Sequence, residues 1–68
     1  MQEHVELEVS LEVIMAEIAK KMFELSDENN NSKKGIIKEK LDKLIYLQES
    51  AYKGNRESIK KILKREFV

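Results

Sequence analysis

The chain has 68 residues, 41% hydrophobic and 38% charged, with zero formal net charge, no cysteine, no proline and one histidine. A core of that size supplies only about 3–5 kcal/mol, so such chains rely on disulfides, metals, oligomerisation or very good helix packing. The missing cysteines exclude disulfides and thiolate metal sites, and one histidine excludes a histidine-built zinc centre, so no metal or other cofactor is expected and association between chains is left as the natural support.

The first element is organised around Leu7, Leu11, Ile14, Ile18, Met22 and Leu25, which step by four and three. That spacing is an apolar seam of coiled-coil type, and it predicts an amphipathic helix over 5–26 whose stripe needs a partner to cover it. Val5 and Val9 sit beside the seam and widen it. The same stretch carries a competing signal, because His4 to Val13 alternates strictly between polar and apolar residues, the pattern of a half-buried strand. A strand followed by two helices would resemble ribbon-helix-helix DNA binders, but its outward residues Glu6, Glu8, Ser10 and Glu12 would repel phosphates. The unbroken seam favours helix.

Ser26-Asp27-Glu28-Asn29-Asn30-Asn31-Ser32 is a polar run rich in turn and cap formers, short enough to return the next helix antiparallel. Asn31 or Ser32 is the expected N-cap. Lys33 and Lys34 oppose the positive end of a helix dipole, which moves the expected start of the second helix toward Gly35. That helix is predicted over 34–53, with Ile37, Leu41, Leu44, Ile45, Gln48 and Tyr52 on one face and Leu47 and Ala51 flanking it. Gly54 suits a left-handed C-cap and Asn55 a following N-cap. A third helix over 55–67 then turns Ile59, Ile62, Leu63 and Phe67 inward. Without that break, one helix from residue 35 to 66 would run about 48 Å.

The charge is divided. Residues 1–32 carry eight acids against two bases, and residues 33–68 carry eleven bases against five acids. Opposite halves favour docking of the front helix on the back of the chain, within one copy or between two. The basic stripe Lys53, Arg56, Lys60 and Lys64 is a candidate patch for a phosphate backbone, without interleaved aromatic residues.

No catalytic constellation stands out. His4 has no nucleophile in a motif beside it, the serines lie in no nucleophile motif, and Gly35 and Gly54 are isolated, so no phosphate-cradling loop is built. The segment Leu41-Asp42-Lys43-Leu44-Ile45, preceded by Lys21-Met22-Phe23-Glu24-Leu25 and a polar loop, resembles the sporulation-linked aspartyl-phosphate phosphatases of the Spo-zero-E type. Those are short helical hairpins with a Ser-Gln-Glu-Leu-Asp signature. Here Lys38 and Glu39 stand where the serine and glutamine belong. The resemblance implies Asp42 acting at the phosphoryl group of a response regulator.

Residues 1–68 therefore read as one all-α domain, an antiparallel helical hairpin with a third C-terminal helix, as a three-helix or hairpin-dimer bundle. The expected core and interface are Leu7, Leu11, Ile14, Ile18, Met22, Leu25, Ile37, Leu41, Leu44, Ile45, Tyr52, Ile59 and Ile62. The expected function is a non-enzymatic protein–protein interaction or assembly module that self-associates or binds another protein, in preference to the phosphatase or a nucleic-acid binder. Met1-Gln2-Glu3-His4 is not a basic leader, and no apolar run nears the roughly 20 residues of a membrane span, so a cytoplasmic protein without a membrane partner is expected.

Overall fold

The computed structural model describes the backbone of residues 2–67 and the side chains of residues 4–67. The described residues form three helices, α1 (Gln2–Asp27), α2 (Asn31–Tyr52) and α3 (Arg56–Leu63). α1 and α2 form the antiparallel hairpin and make the most extensive packing, and α3 folds back against both. The principal extents are 45 × 17 × 15 Å, the longest of them spanned mostly by the 26-residue α1, about 39 Å at 1.5 Å per residue.

Residues 4–13 are helical, so the alternating pattern does not become a strand. A helix satisfies its own backbone donors and acceptors, whereas a strand needs a paired neighbour, and no second strand exists among the described residues.

The turn after α1 is built by side chains. The Glu28 carboxylate accepts the N–H groups of Asn29 at 3.1 Å and Asn30 at 3.0 Å. Asn30, in extended backbone, caps α2 by accepting from Ser32 N–H at 2.9 Å and Lys33 N–H at 3.2 Å. The helix thus begins earlier than Gly35, and its cap is Asn30 instead of Asn31 or Ser32. An Asn cap contributes about 1 kcal/mol, which offsets the fraction of that amount lost by placing exposed lysines at the positive dipole end.

α2 breaks at Gly54 as the sequence implies. The Gly54 N–H donates to the Ala51 carbonyl at 2.9 Å and the Asn55 N–H to Ser50 at 3.1 Å, the paired bonds of a Schellman ending with Gly54 in the left-handed region at φ +90°. Asn55 then caps α3, accepting from Ser58 N–H at 3.1 Å. α3 ends at Leu63, four residues before the expected 67, through a second ending of the same kind. Arg65 N–H donates to Ile62 at 2.9 Å and Glu66 N–H to Lys61 at 2.8 Å. Here the left-handed position, at φ 59°, is held by Arg65, where a non-glycine residue costs about 1–2 kcal/mol. The turn brings Phe67 back against the core, so Phe67 packs inward as expected without being helical.

The buried apolar core is narrow: Ile14 on α1, Leu44 and Ala51 on α2, Ile59 and Ile62 on α3. Leu7, Leu11, Val13, Ile18, Leu47, Leu63 and Phe67 pack around it, partly exposed. Small side chains let the helices approach. Ser10 is 0% exposed and turns its hydroxyl to the Leu7 carbonyl at 2.8 Å. Ser58 donates its hydroxyl to Ser50 Oγ at 2.8 Å, which ties α3 to α2 without an unsatisfied polar atom.

Ile14→Ala is expected to cost about 2–4 kcal/mol, comparable to what so small a core supplies; thermal denaturation followed by circular dichroism should show a lost or strongly lowered transition. The two left-handed positions should respond with opposite signs. Gly54→Ala meets no atom within 4 Å and should still cost about 1 kcal/mol from backbone strain, whereas Arg65→Gly should gain about 0.5–1 kcal/mol, both read as shifts in Tm.

Candidate functional site

α3 occupies one side of the hairpin only. Glu6 on α1 reaches Arg56 at its start at 3.6 Å, joining the acidic front of the chain to its basic back. Farther along, Glu17, Lys21, Lys40, Leu44, Arg65 and Phe67 line a recess of about 230 Å³ beneath the chain leaving α3. Toward the hairpin turn, Phe23, Glu24, Asp27, Glu28 and Ile37 line a more open groove of about 280 Å³. Counted from the buried Ile14, the α1 positions on the α3 side are three ahead and four behind (Glu17, Ser10). From the buried Leu44 the matching α2 position is Lys40, four behind. In an antiparallel hairpin equal offsets fall on the same side.

The opposite offsets mark the side that α3 leaves open. On α1 they are Leu11, Met15, Ile18 and Met22, and on α2 they are Leu41, Ile45, Gln48 and Tyr52. Both rows repeat the same four-three-four spacing, and none of the eight carries a charge. Leu11, Ile18, Leu41 and Gln48 are half-buried between the helices. Met15 at 60%, Met22 at 56%, Ile45 at 37% and Tyr52 at 74% stand exposed above them.

This divides the residues expected to form one seam. Ile14, Leu44, Ile59 and Ile62 are buried, and Leu7, Leu11, Ile18, Leu25, Ile37 and Leu41 are half-buried. Met22, Ile45 and Tyr52 are exposed, so they do not belong to the core of the single chain. The reason is geometric. The α2 row that meets α1 runs Ile37, Leu44, Ala51, and Tyr52 lies about 100° around the helix from Ala51. Ala51, read from the sequence as a flank, is 0% exposed. Val5 and Val9 also stand exposed, on the outer side of α1.

The basic stripe is split by the Gly54 turn. Lys53 precedes it, Arg56, Lys60 and Lys64 follow it on α3 and its C-cap, and all four are exposed. Arg56 is engaged by Glu6. Lys21 is bonded to Glu24 at 3.1 Å, and its meeting with Lys40 and Arg65 around the recess has no sequence signature, because three separate segments supply it. Asp42, two residues before Leu44, is exposed on the outer side of α2. Among the described residues no group of three or more His, Cys, Asp or Glu could hold a metal ion. Among the described residues no helix is long and apolar enough to cross a membrane.

Comparisons with known proteins add no relative: no protein-family model, no curated protein and no solved structure matches this chain.

Proposed function

We propose that the chain is a non-enzymatic assembly module that self-associates by stacking the open hairpin face on a second copy. One observation carries the reading: eight positions on two helices form an uncharged face opposite α3, and the single chain leaves its Met15, Met22, Ile45 and Tyr52 in water. Two such faces together make a four-helix bundle, with the half-buried rows inside and the exposed rows between stacked helices.

Two quantities support a second copy as occupant. A side of 45 × 17 Å presents on the order of 700 Å², close to the roughly 800 Å² per partner of a standard stable interface. The core of five buried hydrophobic residues among those described is thin for a free-standing domain, and association would add the burial that a chain of this length lacks. The methionines suit the role, because flexible thioethers fill irregular gaps where two surfaces meet.

Sedimentation equilibrium tests this. The wild-type chain should be dimeric or larger, and Met15→Asp with Ile45→Asp should give a monomer of unchanged helix content, since both side chains are exposed in the protomer and tolerate a charge there. Ile18→Asp, half-buried, should dissociate the assembly and also lower Tm, by burying part of an unpaired charge. A wild-type chain that stays monomeric at high concentration, or a double variant of unchanged mass, overturns the reading.

A further inference from the structure

The geometry points to an antiparallel pairing of the two copies, related by a two-fold axis that crosses the helices at the level of Ile14 and Leu44. This rests on the self-association proposed above and specifies the orientation. The open face is uncharged at its centre but its two ends differ. At the end away from the hairpin turn, the Met15–Met22 row continues to Glu8, with Glu12 beside it on α1 and Glu49 on the neighbouring turn of α2. At the end near the turn, the Ile45–Tyr52 row continues back to Lys38, and the Leu41–Gln48 row to Lys34, with Asp42 one turn ahead of Lys38 on the outer side. All of these charged side chains are exposed, and no described ion pair engages Glu8, Lys34, Lys38 or Glu49.

The positions are matched in height. Ile14 and Leu44 belong to the same buried cluster of the hairpin. Glu8 lies six residues before Ile14, and Lys38 lies six residues before Leu44 on the antiparallel helix. At about 1.5 Å per residue they stand about 9 Å from the Ile14–Leu44 level, in opposite directions. A two-fold axis across the helices at that level reverses the direction of the second copy. It therefore stacks α1 on α1 and α2 on α2 with their directions reversed, brings the acidic end of each face over the basic end of the other, and sets Lys38 opposite Glu49, which lies five residues after Leu44. The alternative two-fold axis, parallel to the helices, stacks α1 on α2 with direction kept, and sets acidic end on acidic end, Glu8 opposite Glu49, and basic end on basic end. Like charges at both rims oppose that arrangement. The apolar rows fit either way, so the rim charges select the orientation.

Charge reversal tests the pairing. Glu49→Lys alone, or Lys38→Glu alone, should raise the dimer Kd about fivefold at low salt, with the effect shrinking as salt is added. The two reversals combined in one chain should restore wild-type affinity, because antiparallel pairing again opposes unlike charges. In a parallel dimer either reversal alone would relieve like-charge repulsion and lower the Kd. Since the chain has no cysteine, a second readout is direct: a mixture of Lys38→Cys and Glu49→Cys chains should give a short-linker cross-link between the two, and a mixture of Glu8→Cys and Glu49→Cys chains should not. Dimers that respond to neither reversal, or Glu8→Cys and Glu49→Cys chains that cross-link to each other, overturn the orientation while leaving self-association standing. A wild-type monomer overturns both.

Discussion

The contact between Ile14 and Leu44 with α3 laid against it is the constraint on which this molecule depends. Each residue is almost wholly removed from water, and with Ala51, Ile59 and Ile62 they make up the buried core. Everything else is arranged to bring three helices close enough for so few side chains to enclose one another. Serine and alanine at the crossing keep the backbones near, and the Ser58–Ser50 hydroxyl bond lets polar groups stay inside without loss. Two left-handed residues turn the chain where it must reverse or stop.

That economy has a structural consequence. A short third helix protects one flank of a long hairpin and leaves the other bare. The hairpin therefore has a covered side, rich in charge and recesses, and an open side where methionine, isoleucine, leucine and tyrosine line up in two equally spaced rows. Charged residues surround those rows, and the acidic front and basic back give the two ends of the open side opposite sign.

Much of the architecture was legible in the sequence because it rests on local rules. The step of four and three from Leu7 to Leu25 indicates a helix, Gly54-Asn55 indicates a stop and a restart, and a short polar run indicates an antiparallel return. The difficulties came where one rule overlaid another. Tyr52 and Ala51 are neighbours, and periodicity alone favoured the larger apolar residue for the core; only the position of α1 shows that the small one faces it. The early end of α3 was hidden because Arg65 holds a conformation that glycine usually marks. The open face was present in the sequence as part of a single broad stripe. Its separation from the core depends on which side α3 takes, and that is a tertiary fact. Buried Ser10 was likewise unmarked, since a serine between hydrophobic turns reads as solvent-facing until a third helix covers it.

The turn at Gly54 decides more than the length of α2. It is the point at which the chain hands Ile59 and Ile62 back to its own Ile14 and Leu44. Were residues 53 to 55 to continue as helix, the same two isoleucines would be carried outward along a straight rod, and the nearest shelter for them would be the vacant flank of another molecule. The left-handed turn at Gly54 thus separates a closed protomer from one that would exchange its last helix with a neighbour.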